Sequence, residues 1–455
     1  MTAHSAPEPT MRKVAMTSLA GTSIEWYDFF LYGTAAALIF PTAFFPADMP
    51  PMAALIASFG TFAVGFVARP VGGILFGHFG DRVGRKKALV TALMMMGGAT
   101  TIIGCLPSYE TIGVAAPILL TILRFVQGLA IGGQWGGAML LVTESAPPDK
   151  RGYYGAFAQA GAPLGVILAN LAFILVSGVL QEEDFTTWGW RIPFLLSVIL
   201  IGLSMYVQLH LEDTPAFKEL QRRREAESKM EAESQEGAGG KSTVRGGSPV
   251  LDALRKHPRE ILLGAGAFLS VQVMFYILIA FVVAYGSSAA GVGLPRDTML
   301  MAVLIGSIAQ IPALFLSSIW SDRHGRRGVY MLGAVLVGVW AFALFPLIDT
   351  GEFLWIALAI SVGQVCLSMM YGPQAAFLAE LFSTEVRYSG ASLGYQLGAI
   401  LGGALAPTIA TALWLTYGTV YVSVYIAVAS ALTLICVFLL SETRGLNLDD
   451  HQPSN

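Results

Sequence analysis

The chain has 455 residues, 55% of them hydrophobic and only 13% charged, with a net charge of −3. Soluble domains carry about 25% charged residues, so this composition belongs to a chain that sits in lipid, and without a basic stripe it lacks the electrostatic footprint of a nucleic-acid binder. Three widely spaced cysteines, Cys105, Cys366 and Cys436, give neither a disulfide framework nor a metal-ligand spacing.

Apolar runs long enough to cross a bilayer as helix, about 20 residues, recur along the chain, and an open strand cannot satisfy its backbone in lipid. Breaks at charged, Gly and Pro residues predict spans at 14–42, 52–79, 88–107, 114–146, 152–180 and 190–211. Six more follow at 259–289, 297–320, 328–349, 352–382, 388–417 and 419–441. The first run follows Arg12 and Lys13 as a signal peptide would, but it is too long and carries Glu25 and Asp28, so it is expected to remain as the first helix. Prolines Pro163, Pro373 and Pro407 interrupt backbone bonding and are expected to bend their helices.

The expected fold is an all-α polytopic membrane protein: twelve transmembrane helices in two six-helix halves, 14–211 and 259–441. Tails at 1–13 and 442–455 and a charged, Gly/Ser-rich linker at 212–258 complete it. Within the linker, Gly240-Lys-Ser242 mimics the end of a phosphate loop, but Gln235 stands where the first glycine is required. ATP is therefore not the expected energy source, and no cofactor is expected. Of 27 Lys and Arg, only Arg69 and Arg124 fall within spans and only Arg191 and Arg296 in connections on one side. Positive loops stay inside, which puts both termini in the cytoplasm.

The halves repeat. Gly80-Asp-Arg-Val-Gly-Arg-Lys-Lys87 is echoed by Ser321-Asp-Arg-His-Gly-Arg-Arg327, 241 residues on from Asp81 to Asp322. Glu144 and Arg151 are echoed by Glu380 and Arg387, each 236 residues on. Paired halves with a substrate site between them near the membrane midplane are a known secondary-transporter design.

Particular runs narrow this further: Glu25-Trp-Tyr-Asp-Phe29 with Tyr32, Ala68-Arg-Pro70, and Arg124-Phe-Val-Gln-Gly128 leading into Gly132-Gly-Gln-Trp-Gly136. Trp188-Gly-Trp-Arg-Ile-Pro-Phe194 and Thr384-Glu-Val-Arg-Tyr-Ser-Gly390 add to them. With these, the chain resembles the major facilitator superfamily, and within it the metabolite:proton symporters that carry proline/betaine, 2-oxoglutarate, shikimate and related acids. The resemblance implies an inner-membrane symporter of a bacterial cell. Two features depart from it: Gln134 stands where the family often has Glu, and no long coiled-coil extension follows Arg444, which points away from an osmosensing betaine carrier.

Charges inside a bilayer are costly and so are functional candidates. Asp28 or Glu25 is expected to take up the proton, while Arg124 attracts a substrate carboxylate or pairs with the acid until it is protonated. A permanent bridge between helices is the structural alternative. Arg69 lies near mid-depth, either facing the cavity or capping carbonyls beside Pro70. Tyr32, Gln134, Trp135, Gln159, Tyr276, Gln364, Tyr371 and Gln396 are polar enough to line a substrate cavity or to hold helices together. The repeated loops, Asp81, Arg82, Gly84, Arg85 with Glu144 and Asp322, Arg323, Arg326 with Glu380, are expected to latch one end during alternating access; family resemblance implies that gating role. No metal is expected. The reading is a transporter rather than an enzyme, a proton-coupled symporter of a small carboxylate-bearing or zwitterionic metabolite working as a monomer among membrane lipid. An uncoupled facilitator or exporter, or a transporter-like membrane sensor, would share most of these features.

Overall fold

A computed structural model describes residues 8–83, 85–211, 258–382 and 387–445. Twelve long helices dominate it. The first six are α1 (Glu8–Leu38), α2 (Pro51–Val83), α3 (Arg85–Cys105), α4 (Ala115–Ser145), α5 (Arg151–Val179) and α6 (Arg191–Leu211). The second six are α7 (Pro258–Ser287), α8 (Arg296–His324), α9 (Arg326–Ile348), α10 (Phe353–Leu381), α11 (Arg387–Gly398, Ala399–Ala404 and Ala406–Tyr417) and α12 (Thr419–Leu439). The spans read from hydropathy agree to within a few residues, except that α1 starts earlier and takes in Arg12 and Lys13. The linker expected at 212–258 lies, up to residue 257, outside the described residues.

Nine of these helices are both long and apolar enough to cross a membrane among the described residues, and the bent pair Glu182–Gly189 with Arg191–Leu203 makes a tenth. The apolar stretch of α3, Val90–Cys105, is shorter. Large apolar side chains such as Val179, Ile199, Val339 and Leu354 face outward, as a lipid-embedded bundle requires.

Helix contacts carry the repeat seen in the sequence. In the first six, α2 packs on α4, α1 on α5, α3 on α4 and α6, and α1 on α6; in the second six, α8 packs on α10, α7 on α11, α9 on α10 and α12, and α7 on α12. Adding six to each label converts one list into the other. The sets meet where α5 packs against α8 and α10, α2 against α11, and α1 against α7.

Small residues make the tightest of these seams. A methyl group at Gly132 on α4 would lie 1.9 Å from the Arg69 carbonyl oxygen on α2, and one at Gly128 would lie 2.1 Å from that of Gly65. Backbones approach this closely only where no Cβ intervenes. Pro163 and Pro373 sit inside helices that run on past them, whereas Pro407 opens the last piece of α11, after a wide turn at Ala399–Ala404. The matching helix α7 has its own wide turn at Ile277–Phe281. Such turns frequently mark functional sites, and both of these face the opposite half.

Candidate substrate and proton site

Two arginines are buried at the seam between the halves. Arg69 on α2 and Arg124 on α4 are 1% and 0% exposed. Both guanidinium groups lie over the Phe29 ring, Arg124 at 4.1 Å and Arg69 at 4.4 Å from its centroid. Arg124 also sits over Tyr32 and Phe62, and Arg69 over Phe66 and Trp26. Tyr276 of α7 closes this aromatic box from the other half, against Phe66, Phe62 and Phe29. Cation–π contact offsets part of the desolvation of each cation, but no carboxylate is ion-paired with either one among the described residues. Arg124 donates to Gln127 Oε1 at 3.0 Å and leaves Nη2 unsatisfied. None of the three Arg69 nitrogens makes a hydrogen bond of ordinary geometry, although Tyr276 and Tyr395 lie alongside. A buried cation without a counterion is held at high cost, and an incoming anion relieves that cost.

Asp28, next to Phe29 on α1, is 1% exposed and points the other way, toward Thr100 of α3 and Ser197 of α6. Neither hydroxyl closes a hydrogen bond of ordinary geometry to it. The direct Asp28 to Arg124 pair anticipated from the sequence is not formed in this conformation, because the two side chains leave α1 and α4 toward different neighbours. Glu25 is half-buried and has a partner of its own.

Other cavity candidates are buried, with distinct surroundings. Tyr32 donates to Thr61 Oγ1 at 2.7 Å. Gln159 of α5 donates to the Tyr371 carbonyl of α10 at 3.1 Å, a bond across the halves, and Tyr371 stacks on Phe275. Gln364 has both amide atoms unpartnered, and Gln396 its Oε1. The side chains of Gln134 and Trp135 lie outside the described residues. At mid-depth the gap lined by Phe30, Gly33, Thr34, Phe62, Val166, Ile279 and Ala280 is only about 10 Å³, roughly the room for one water.

One end of the bundle, the near face where α1 begins, is closed by ionic contacts. Asp322, at the end of α8, accepts hydrogen bonds from the Gly152 and Tyr153 amides at 2.8 and 2.9 Å, capping the first turn of α5 in the other half. A carboxylate is stabilised there by free amides and the helix dipole. Arg326 bridges Asp322 to Glu380 of α10, reaching the Glu380 oxygens at 3.3 and 3.2 Å, and Arg151 stands 3.8 Å from Glu380. Arg323 is exposed. The first-half copy of this motif, Asp81, Arg82, Gly84, Arg85 and Glu144, lies outside the described residues in its side chains and, at Gly84, in its backbone. Arg151, Thr443 and Glu442 are additions that sequence reading did not list: Thr443 donates to Glu380 at 2.8 Å, and Glu442 accepts from the Arg326 and Arg327 amides. The echo of Arg151 in Arg387 was a usable signal, whereas Glu442 and Thr443 lay in what reads as a tail.

The far face is closed across the same pair of helices. Arg296 at the start of α8 makes a two-pronged bond to Glu182 at 2.7 Å on each arm, and Ser177 of α5 donates to Asp297 at 3.0 Å. The two halves are thus joined across the α5 and α8 ends at both faces. A cleft of about 600 Å³ lined by Arg12, Asp149, Lys150, Tyr153, Asp322 and Arg323 opens on the near face outside the ionic contacts.

Two matched sets of six helices around a buried, charged seam define a multi-pass membrane transporter. The sugar (and other) transporter family model matches residues 13–453, and the chain belongs to that family of the major facilitator superfamily. The chain is 42% identical over 448 residues to the inner membrane metabolite transport protein YhjE of Escherichia coli, covering 97% of both chains. It is 39% identical to the shikimate transporter of Escherichia coli, covering 85% of this chain and 84% of that one. To the proline/betaine transporter of the same species it is 33% identical, covering 85% and 75%. Among solved structures the proton:xylose symporter XylE superimposes with a TM-score of 0.75 at 16% identity, over 98% of each chain. That likeness shows the fold.

Proposed function

We propose that the protein is a proton-coupled symporter that moves a small carboxylate-bearing or zwitterionic metabolite by alternating access across a bacterial inner membrane, with the near face and both termini in the cytoplasm. The observation that carries this reading is the pair Arg69 and Arg124, buried in an aromatic box between the halves with, among the described residues, no carboxylate ion-paired to either cation. A substrate carboxylate docks between them through charge-assisted bonds, and the rings cover its apolar part. Asp28 takes the proton, being the buried carboxyl nearest that box among the described residues. The activities these relatives are named for, metabolite, shikimate and proline/betaine transport, support a substrate of this class. The ionic contacts at the near face hold that end shut and part as the halves rock. Residues 14–211 and 259–441 then act as the two rocking bodies, with 212–258 as their tether.

The test is uptake of radiolabelled shikimate, 2-oxoglutarate, proline and glycine betaine into proteoliposomes under an imposed inward proton gradient. Accumulation that collapses with an uncoupler is the expected result for at least one of them. Equilibration indifferent to the gradient would leave a facilitator and remove proton coupling.

A further inference from the structure

The near-face cleft of about 600 Å³ is open, charged and shared by the two halves, and the transport cycle proposed above makes no use of it. From the first half come Arg12, in the second turn of α1, and Lys150, in the short turn Pro148–Lys150 that leads into α5. From the second come Arg323, in the last turn of α8, and Arg444, in the segment after α12. Two carboxylates share the lining, Asp149 and Asp322. Asp322 is already committed, to the Gly152 and Tyr153 amides at 2.8 and 2.9 Å and to Arg326. Asp149 is exposed beside Lys150, so even with both carboxylates counted the lining keeps two positive charges in excess. The guanidinium groups of Arg12, Arg323 and Arg444 make no hydrogen bond and no ion pair among the described residues. Like charges gathered round one opening focus its potential and repel one another, and an anion seated among them relieves that cost. Tyr153, packed against Phe157 and Phe315, gives the cleft a fixed wall at the α5–α8 seam. Within a turn of Ile319, another lining residue, α8 exposes Leu316 and Trp320.

We propose that this cleft is a binding site for a phosphate-bearing anion, held by arginines from both halves, and that the bound anion keeps the near face shut. Guanidinium forks match the oxygens of a phosphate and bond them in pairs. A single carboxylate fills one fork, whereas a phosphate has oxygens for several, and the cleft has the room of a small-molecule pocket. Two sources carry that chemistry, the headgroup of an anionic phospholipid and a soluble phosphate. The position favours the lipid: the near face is read above as cytoplasmic, where basic pockets between transmembrane helices meet anionic headgroups, and an exposed Trp is typical of the headgroup level. Arg12 and Lys150 ride on one half and Arg323 and Arg444 on the other, so all four surround one anion only while the near ends of α5 and α8 are together. A ligand that binds this conformation better shifts the population toward it. This second part rests on the rocking of the halves proposed above; the site itself does not.

The experiment uses the purified full chain with a spin-label pair on the near ends of α5 and α8. One series is reconstituted in nanodiscs of phosphatidylcholine with rising fractions of phosphatidylglycerol; the other keeps phosphatidylcholine alone and adds inorganic tripolyphosphate. Binding is counted separately, by native mass spectrometry of the same samples. Arg12→Gln/Arg444→Gln removes one cleft cation from each half, while Lys13→Gln/Arg259→Gln removes the same charge from exposed positions outside the cleft lining. The expected result is saturable binding of one probe with a matching rise in the short-distance population. Its midpoint shifts roughly tenfold or more in the cleft variant and less than about twofold in the control. Should the double variant not fold, Arg12→Gln and Arg444→Gln each carry the comparison singly. Saturation by phosphatidylglycerol assigns the lipid headgroup and saturation by tripolyphosphate alone a soluble anion, and either supports the site. If neither probe saturates, or both double variants weaken binding alike, the effect is one of surface charge and the site is overturned. Saturable binding with unchanged distances overturns the hold on the near face and leaves the site. None of these readings uses substrate or a proton gradient, so failure of the symport reading would not touch them.

Discussion

Each buried charge answers to its own surroundings. Arg124 has one hydrogen-bonded arm and one unsatisfied nitrogen, and a carboxylate accepting from it gains a charge-assisted bond of about 1.5–3 kcal/mol. Arg124→Gln is therefore expected to raise the substrate KM by roughly 10–100-fold, read from initial uptake rates with folding checked by gel filtration. Arg124→Lys should recover little of it, because an ammonium lacks the flat fork that stacks on Phe29 and Tyr32. Asp28→Asn keeps the shape and removes the titrating group. The expected outcome is substrate exchange that survives while accumulation against a gradient is lost, measured by counterflow beside gradient-driven uptake. Undiminished accumulation would assign the proton to another group.

At the scale of the helix, the seam between α2 and α4 holds both arginines in register. The Arg69 carbonyl is the atom that any side chain at Gly132 would strike, so the packing that joins these helices also fixes where Arg69 sits. Overpacking a close seam costs about 1–3 kcal/mol. Gly132→Ala should lower the melting temperature of the detergent-purified protein and depress transport more than stability, since Arg69 is displaced with its helix. Gly202→Ala on α6, where nothing lies within 4 Å, serves as the control and is expected to leave the melting temperature unchanged. The wide turns of α7 and α11 belong to the same scale. They bring Tyr276 and Gly403 against Phe66 of α2, so bending at either turn changes the box around Arg69.

For the whole molecule, the two closed faces differ in strength. Arg326 and Glu380 are 1% and 0% exposed, whereas Glu182 opposite Arg296 is 73% exposed. Removing one partner of a buried pair costs about 3–5 kcal/mol, and an exposed pair is worth about 0–1 kcal/mol. Glu380→Gln is thus expected to open the near face, seen as longer spin-label distances between the near ends of α5 and α8 and as faster alkylation of cysteines placed in the cleft. Glu182→Gln should change far-face distances little and lose even that small effect in high salt.

Much of this was legible in the sequence because it depends on local chemistry. A bilayer demands long apolar helices with internally satisfied backbones, so twelve spans could be counted directly, and the Asp-Arg-x-Gly-Arg echo revealed the repeat that the packing of α1–α6 and α7–α12 reproduces. Burial of Asp28, Arg69 and Arg124 followed from the same cost of charge in lipid. What the sequence could not decide was direction and partner. Depth along a helix can be counted from its rise per residue, but the face a side chain takes depends on which helix packs there. The tertiary structure alone turned Asp28 toward Thr100 and Ser197, stacked both arginines on Phe29, and brought Glu442 and Thr443 back to Arg326 and Glu380. Those contacts join residues far apart in the chain, and only the packing of whole helices fixes which of them meet.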